Sequence, residues 1–297
     1  MNATVLALPG SDALGRRLSE LSGIPQGVVE SRPFPDGETY LRIDGECAKK
    51  SVVLVCTLDR PNDKLLPLVF LADAARELGA SRVGLVAPYL AYMRQDRRFH
   101  PGEAVTSRTF AALLSRHVDW LATIDPHLHR YHSLTDIYRV PGRVVHAAPA
   151  LAAWIAAHVD RPVVVGPDEE SWQWAKDVAD RAGAPVVVMR KTRRSDRTVD
   201  VSAPDLEAYL THTPVVVDDI VSSAQTMVET VKHLVAARLR APVCVAVHAL
   251  FPETAEQALR DAGAAQIVTT TSVPHATNRI DIIPLLIPAV HELAGAS

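Results

Sequence analysis

The stretch that decides the fold is Pro214-Val215-Val216-Val217-Asp218-Asp219-Ile220-Val221-Ser222-Ser223-Ala224-Gln225-Thr226-Met227. It opens as an apolar run rich in β-branched residues, too short for a buried helix, and so predicts an inner strand. Two carboxylates stand where that strand should end, and a Ser/Thr-rich turn leads into an amphipathic run from Met227. Unpaired N–H groups at a helix N-terminus suit a phosphate, and adjacent carboxylates suit hydroxyls or a divalent cation. The alternative is an ordinary strand-to-helix turn whose acids cap the helix.

Composition places the chain among large globular proteins. Its 297 residues are 48% hydrophobic and 22% charged, which favours two domains over one, and the aromatic content of 5% favours an α/β fold over a β-sandwich. A net charge of −3 gives no sign of a nucleic-acid or membrane partner. The isolated Cys47, Cys56 and Cys244 predict small core residues in a reducing compartment. Without a signal segment or a membrane-spanning run, we expect a soluble cytoplasmic protein.

Strand and helix patterns alternate along the whole chain. The first half predicts strands Thr4–Leu8, Tyr40–Ile43, Ser51–Thr57, Arg82–Pro88 and Trp120–Ile124, and helices Asp12–Leu21, Asn62–Leu78 and Thr106–His117. The second half adds strands Val163–Val165, Pro185–Met189, Val243–Ala249 and Gln266–Thr271, and helices Ser171–Ala182 and Glu253–Ala262. Such alternation is typical of parallel sheets covered by helices. We therefore predict two similar α/β domains joined near Pro141–Pro149.

Polar groups recur after the predicted strands in both halves. Open parallel sheets bind ligands beyond the carboxyl ends of their strands, although a solvated loop would also be charged. The groups are Arg94 to Arg98, Asp125 with His127 and His129, Asp168 with Glu169 and Glu170, Lys191 with Arg193 and Arg194, and Asp218 with Asp219. Neither G-x-x-x-x-G-K-[ST] nor G-x-G-x-x-G follows a strand, so a nucleotide would be bound by another route.

Six motifs, in order, resemble those of the ribose-phosphate pyrophosphokinases, or phosphoribosyl pyrophosphate (PRPP) synthetases. They are Arg32–Glu38, Pro88–Arg97, Asp125–His127, Gly166–Asp168, Lys191–Arg193 and Val217–Thr226. The Lys-Thr-Arg and Asp-Pro-His-Leu-His segments are similar to the archaeal-like branch of the family.

The resemblance implies an activity and an architecture. Members of this family transfer the β,γ-diphosphoryl group of ATP to the 1-hydroxyl of ribose 5-phosphate, giving PRPP and AMP for nucleotide synthesis, and they use Mg²⁺. The implied fold is two phosphoribosyltransferase-type domains, residues 1–145 on the ATP side and 146–280 on the ribose 5-phosphate side. Residues 281–297 would pack back on the first domain, and the subunits would form homodimers or higher homo-oligomers.

The resemblance also implies roles for individual residues. ATP would be bound by Phe34, Asp36 and Glu38 from a neighbouring subunit, and by Arg94, Gln95, Asp96 and Arg97, with Asp96 steadying the two arginines. Magnesium would be bound by His127 and Asp168, and catalysis would depend on Lys191 and Arg193 of a mobile loop. Ribose 5-phosphate would be bound by Asp218, Asp219, Ser222, Ser223, Ala224, Gln225 and Thr226. The remaining histidines, His146 among them, are expected on ordinary surfaces or helix ends.

Two departures from the family pattern keep other functions open. Gln225 stands where a glycine is usual, so the loop would adopt a glycine-like backbone there at some cost or would shift. Glu169 and Glu170 add negative charge beside Asp168. The alternatives are an ordinary phosphoribosyltransferase, a silent regulatory subunit of an active synthetase, and a kinase for a related sugar phosphate. The motifs at Arg94–Arg97 and Arg32–Glu38 argue against the first, because such enzymes need no ATP site, and intact Lys191 and Arg193 argue against the second.

Overall fold

The computed structural model describes residues 2–128, 130–195, 198–202 and 206–295, with the backbone alone for 170, 190–195 and 198–202. His129 of the expected strand-end groups thus lies outside the described residues. The chain divides into two compact units. Unit 1 is Met1–His146 with Ile283–Ser297, and unit 2 is Ala147–Ile282.

Unit 1 is built on a five-stranded parallel sheet flanked by helices. Its strands are β1 (Ala3–Ala7), β2 (Val28–Pro33), β3 (Thr39–Asp44), β4 (Ser51–Val55), β5 (Arg82–Ala87), β6 (Trp120–Ile124) and β7 (Gly142–Val145). Its first three helices are α1 (Asp12–Ser22), α2 (Pro61–Glu77) and α3 (Thr106–His117). The sheet order is β1-β4-β5-β6-β7, and every neighbouring pair is parallel. The predicted parallel α/β fold is confirmed in this unit.

The inner strands of unit 1 are buried along their whole length. Every residue of β1, β4 and β6 is buried, which explains why these segments are unbroken apolar runs instead of alternating ones. Gly84 of β5 is the register partner of Trp120 of β6. A Cβ atom on Gly84 would lie 1.7 Å from the Trp120 indole, so the missing side chain makes room for a fully buried ring.

Strands β2 and β3 form a two-stranded antiparallel hairpin beside the parallel sheet. The sequence predicted only the turn and the strand after it. Every residue of β2 is exposed or half-buried, so this strand lacks the apolar pattern on which strand prediction depends.

Unit 2 is built on a six-stranded parallel sheet flanked by helices. Its strands are β8 (Pro162–Gly166), β9 (Val186–Val188), β10 (Arg190–Ser195), β11 (Thr198–Ser202), β12 (Thr213–Val221), β13 (Val243–Ala249), β14 (Gln266–Thr270) and β15 (Asn278–Ile280). Its helices are α4 (Ala148–His158), α5 (Trp172–Ala182), α6 (Gln225–Ala236) and α7 (Glu253–Asp261). The sheet order is β15-β14-β13-β12-β8-β9 with all pairs parallel, which confirms the predicted class here too.

Two parts of unit 2 differ from the prediction. Helix α4, which begins at the end of the predicted junction, was not predicted, because its sequence is apolar almost throughout and shows no polar face to mark a helix. Strands β10 and β11 pair antiparallel across the charged segment that was expected to be a loop. Threonine and valine recur there at positions 192, 198, 199 and 201, and these residues favour strand backbone.

Helix α8 (Ile283–Gly295) follows unit 2 in the chain but packs on unit 1, against α1 and strands β4 to β7. Its buried face includes Leu286, Val290 and Leu293. The Arg82 guanidinium donates a hydrogen bond of 3.1 Å to the Leu293 carbonyl. Helix α8 thereby covers the sheet of unit 1.

The three cysteines lie in the core. All three cysteines are free and buried, and burial raises the pKa of the Cys56 and Cys244 thiols to about 12. They are core residues, as predicted. Across the described ranges, no helix combines the length and apolarity that a bilayer crossing requires.

Candidate functional site

Strand β12 carries the two adjacent carboxylates at the centre of the unit 2 sheet. Its ladder with β8 ends at Val216, whereas its ladder with β13 continues to Val221. Asp218 and Asp219 therefore lie past the last β8 pair but still within β12. This corrects the prediction that the strand ends at the two aspartates. Strand β13 extends farther than β8 and supplies the backbone partner for these residues.

Asp218 and Asp219 concentrate negative charge in a half-buried position. The Asp219 N–H donates to Asp218 Oδ1 at 2.9 Å, and the Ile220 N–H donates to Asp219 Oδ1 at 2.7 Å. Burial raises the pKa of Asp218 well above its usual range, and the charges of Asp219 and Asp168 raise it further. A cation or hydroxyl donors bound next to such a carboxylate would stabilise its charged form, so the position suits a metal ion or a sugar diol.

A short turn joins β12 to α6. Ala224 has φ +58°, in the left-handed region, and its carbonyl accepts the first helical bond from the Val228 N–H at 2.8 Å. The sequence placed the backbone strain at Gln225, but Gln225 is the first residue of α6 and Ala224 adopts the strained conformation instead. For a residue other than glycine this conformation costs roughly 1–2 kcal/mol.

The turn lines a cavity of about 60 Å³, bounded by Asp218, Ile220 and residues Val221 to Met227. This is far below the roughly 300 Å³ of a small drug pocket, so one compact group fits. The first N–H groups of a helix have no intrahelical partner, and no acid lies in the first turn of α6. Within the described residues, no hydrogen bond engages the side chains of Ser222, Ser223, Gln225 or Thr226, although the Thr226 carbonyl accepts one from Thr230 Oγ1 at 2.9 Å. The turn thus presents unpaired donors suited to a phosphate.

Asp168 follows β8 and begins a 3-10 turn at Glu169–Ser171. Its Oδ1 accepts a hydrogen bond of 3.1 Å from the Ser171 N–H, and its carbonyl accepts one of 2.6 Å from Ser171 Oγ. A Cβ atom on Gly166 would lie 2.6 Å from Ser171 Oγ. The sequence analysis missed the role of Ser171, although an acid followed three residues later by serine is the spacing of a capping turn.

The expected metal ligands lie in different units. His127 belongs to unit 1 and Asp168 to unit 2. Among the residues that the structure describes, no group of three or more His, Cys, Asp or Glu side chains is arranged to hold a metal ion. The oxygen donors of unit 2 nevertheless fit a hard cation chemically, because burial and then the charges of Asp219 and Asp168 raise the pKa of Asp218.

Lys191 and Arg193 lie in β10, opposite Val201 and Val199 of β11. Successive residues of a strand lie on opposite faces, so residues two positions apart share a face. The two cationic residues therefore occupy the same face of this two-stranded ribbon.

The segment Arg94–Arg97 brings the expected ATP residues together in unit 1. Arg94 and Arg97 are exposed, whereas Asp96 is buried. Asp96 pairs with Arg130, with 3.4 Å between Asp96 Oδ2 and Arg130 Nε. The expectation that Asp96 steadies its two neighbouring arginines thus gives way to a pair with a residue that the sequence analysis had not singled out.

The expected adenine residues lie at the tip of the β2–β3 hairpin. The Phe34 N–H donates to the Glu38 carbonyl at 2.7 Å, and the Glu38 N–H donates to Asp36 Oδ1 at 3.1 Å. Phe34 is 40% exposed. The turn therefore presents an aromatic ring beside two carboxylates.

Asp125 directly follows β6 and pairs with His146, for which the sequence indicated no role. Its carboxylate is buried and lies 2.8 Å from His146, measured from Oδ1 to Nδ1. His146 is exposed, as expected, but its pairing with Asp125 left no signal in the sequence. The Asp125 N–H also donates to the Val145 carbonyl at 3.0 Å, so backbone and side chain together fix the turn that leads to His127.

Comparisons with known proteins cover both units. Residues 3–117 match the N-terminal domain of ribose phosphate pyrophosphokinase, and residues 133–281 match the phosphoribosyl transferase domain. The chain is 35% identical to the ribose-phosphate pyrophosphokinase of Methanopyrus kandleri, over 98% of this chain and 99% of that protein. It is 31% identical to the enzyme of the same name from Saccharolobus solfataricus, over 93% and 94% of the two chains.

A solved structure extends the likeness to the fold. The phosphoribosylpyrophosphate synthetase of Mycobacterium smegmatis matches with a TM-score of 0.83 at 23% identity, covering 99% of each chain. The two units are accordingly phosphoribosyltransferase-type domains, each a parallel sheet flanked by helices. With both sequence matches in place and archaeal relatives aligned over nearly the whole length, the chain belongs to the ribose-phosphate pyrophosphokinase family.

Proposed function

We propose that this protein transfers the β,γ-diphosphoryl group of ATP to the 1-hydroxyl of ribose 5-phosphate. The oxygen of that hydroxyl attacks the β-phosphorus as its proton is lost, the bond from the β-phosphorus to the α,β-bridging oxygen breaks, and AMP leaves as PRPP forms. The observation that carries the proposal is the turn Ser222–Thr226, whose unpaired donors surround a small cavity next to Asp218.

Ribose 5-phosphate is assigned to unit 2. The 5-phosphate occupies the turn of Ser222, Ser223, Ala224, Gln225 and Thr226, where helix N–H groups and hydroxyls donate to it. Asp218 and Asp219 accept hydrogen bonds from the ribose hydroxyls. This arrangement gives each end of the sugar phosphate a partner of complementary chemistry and orients its 1-hydroxyl for attack.

ATP is assigned to unit 1, with one part from a neighbouring subunit. Arg94 and Gln95 hold the nucleotide, and Arg97 lies near its phosphates. The neighbour's hairpin tip supplies Phe34 for stacking and Asp36 and Glu38 for the exocyclic amine of adenine. The exposed ring of Phe34 supports this role, and so a homodimer or a higher homo-oligomer is part of the proposal.

Magnesium is assigned to His127 and Asp168, with a second ion at Asp218 and Asp219. When bound, Mg²⁺ neutralises phosphate charge and orients the transferred group. The crowded carboxylates around Asp218 support a cation there. His127 is the less usual ligand, since a hard cation prefers oxygen. Asp168 is kept in place by Ser171.

Lys191 and Arg193 are assigned to catalysis. Charge develops on the equatorial oxygens of the transferred group, and two cations from one face of β10 can stabilise it. Closing of this segment over the site would exclude water that otherwise hydrolyses ATP. The three free thiols suit a reducing cytoplasm.

One assay tests the reaction. Purified protein is incubated with Mg²⁺, ribose 5-phosphate and ATP labelled in the β-phosphate, and the products are separated. Label in PRPP with equimolar AMP is the expected result. Formation of ADP would point instead to a simple sugar-phosphate kinase, and absence of turnover would point to a silent subunit. Consumption of PRPP with a free base would indicate a phosphoribosyltransferase.

Variants of two lysines test the catalytic assignment. Lys191→Ala should lower kcat at least a hundredfold, a typical loss when a transition-state charge partner is removed. Lys176→Ala is the matched control, because Lys176 is an exposed residue of α5 that pairs with Asp180. Equal rates for the two variants would rule out the proposed role of Lys191.

A further inference from the structure

We infer that Tyr131 and Arg130, in the segment after β6, are positioning residues for ATP. They hold Asp96 directly, and Gln95 through Ser107, so that the flanking arginines face the nucleotide. This inference rests on the proposed function, because it assigns Arg94–Arg97 to ATP. That segment contains neither helix nor strand, so its geometry depends on contacts with its neighbours instead of on a regular backbone ladder.

Tyr131 makes the first of these contacts through its hydroxyl. Its Oη donates to the Asp96 carbonyl at 3.3 Å and shares a hydrogen bond of 3.0 Å with Ser107 Oγ. Ser107 is fully buried in the first turn of α3. One phenol therefore ties the nucleotide segment to a helix that is anchored in the core of unit 1.

Arg130 makes the second contact through charge. The Asp96 side chain is only 6% exposed, and its Oδ2 lies 3.4 Å from Arg130 Nε. A buried carboxylate without a partner is strongly destabilising, and Arg130 supplies that partner. In the described part of the chain, Arg94 and Arg97 enter no ion pair. The Arg97 guanidinium lies over the Phe99 ring, 4.8 Å from its centroid, and a stacked guanidinium keeps its N–H groups for phosphate oxygens.

Helix α3 completes the attachment on the other side. Thr106 Oγ1 donates to Gln95 Oε1 at 3.1 Å, and the Ser107 N–H donates to the Gln95 carbonyl at 3.4 Å. Gln95 and Asp96 are thus held from α3 and from the segment after β6. The same segment begins with His127, so Tyr131 and Arg130 link the nucleotide residues to the turn of the proposed metal ligand.

The test compares two tyrosine variants. Tyr131→Phe deletes only the bridging hydroxyl. Tyr138→Phe is the control, because Tyr138 is a buried tyrosine of unit 1 whose hydroxyl has no hydrogen-bond partner among the described residues. For each protein, the Kd for ATP with Mg²⁺ is measured by titration calorimetry, and kcat and both KM values are measured in the PRPP assay. Thermal unfolding is recorded alongside.

Tyr131→Phe should raise the Kd and KM for ATP about five- to tenfold, as expected when the hydroxyl and its hydrogen bonds to Asp96 and Ser107 are lost. The KM for ribose 5-phosphate and kcat should stay within about twofold, because uniform binding is lost and not transition-state stabilisation. Tyr138→Phe should leave ATP binding unchanged. ATP affinity that is equal in the two variants, or a loss that falls equally on both substrates, would overturn the inference.

Arg130 variants give an independent readout. Arg130→Ala should weaken ATP binding by about tenfold or more, and Arg130→Lys should recover part of that loss because it restores a cation near Asp96. A lysine variant that behaves like the alanine variant would count against a role through charge. Wild-type protein that binds ribose 5-phosphate but not ATP would overturn the proposed function as well, whereas normal wild-type turnover with unchanged variants would overturn this inference alone.

Discussion

Ser171 and Asp168 hold each other through a reciprocal set of four hydrogen bonds after β8. The Ser171 N–H donates to Asp168 Oδ1, and Ser171 Oγ donates to the Asp168 carbonyl at 2.6 Å. The acid proposed to bind magnesium is therefore also the cap of its own turn, and its orientation depends on a serine hydroxyl.

We predict that Ser171→Ala lowers kcat/KM for Mg·ATP about three- to tenfold, together with a loss of about 1 kcal/mol in stability. The control is Ser19→Ala, because Ser19 Oγ donates to the Ile24 carbonyl at the same 2.6 Å in unit 1. Steady-state kinetics and thermal unfolding would separate the two effects. A similar fall in activity for both variants would mean that stability, not Asp168, is responsible.

Asp218→Asn should stabilise the protein at neutral pH while it weakens binding of ribose 5-phosphate. The pKa of Asp218 is raised in the folded protein, chiefly by burial, so the folded state binds more protons than the unfolded state. Its contribution to the free energy of unfolding therefore falls as pH rises from the unfolded carboxyl pKa through the folded one. The asparagine variant lacks this fall.

Melting curves of wild type and Asp218→Asn between pH 4 and pH 8 would measure the difference. A change of 1 kcal/mol in the free energy of unfolding shifts Tm by about 2–4 °C in a chain of roughly this length. Asp261→Asn, at an exposed acid of α7, serves as control and should follow the wild-type curve. A variant at position 218 that melts below wild type at pH 7 would contradict the prediction.

Ala224→Gly should raise stability by about 0.5–1 kcal/mol, because glycine adopts positive φ without the steric penalty of a Cβ atom. Affinity for ribose 5-phosphate should be kept. Ala237, at the other end of α6, has φ −75°. Glycine relieves no strain there, so Ala237→Gly should destabilise the protein by a similar amount. Denaturant titration of both variants checks the opposite signs, and a shared sign would refute the strain assigned to Ala224.

Gly84→Ala should destabilise unit 1 by about 3 kcal/mol or prevent folding, since the new methyl group would overlap the Trp120 ring. Gly142→Ala is the milder counterpart. Its nearest neighbour is Leu134 Cδ1 at 3.0 Å, the end of a side chain that can move. Tryptophan fluorescence during urea unfolding reports both variants. Equal urea midpoints for the two variants would contradict the prediction and would show that the sheet rearranges around Trp120 to accommodate the methyl group.

The fold class was predictable because apolar strands and amphipathic helices alternate in the sequence. Buried parallel strands such as β4 leave an unbroken apolar run, and this signal is local. Strand β2 and helix α4 were not predicted, for opposite reasons. Strand β2 has no apolar pattern, and helix α4 has no polar face. The extent of β12 depends on how far β13 continues beside it, which is a tertiary property.

The candidate site shows the same division. Family motifs gave the residues of the loop Ser222–Thr226, but the strained position moved from Gln225 to Ala224, because backbone conformation depends on where the helix begins. Contacts between distant residues left no local signal. Asp96 with Arg130 and Asp125 with His146 are separated by more than a dozen residues in the chain, and only the folded structure pairs them.

Helix α8 gives the order of synthesis a consequence for this protein. Because α8 follows unit 2 in the chain, a ribosome makes all of Ala147–Ile282 before the residues that cover the sheet of unit 1. Until α8 is made, the first unit exposes the apolar surface that α8 covers, and such exposed surface promotes aggregation. Unit 2 can fold from a continuous segment during that interval, so the second half of the protein can mature before the first.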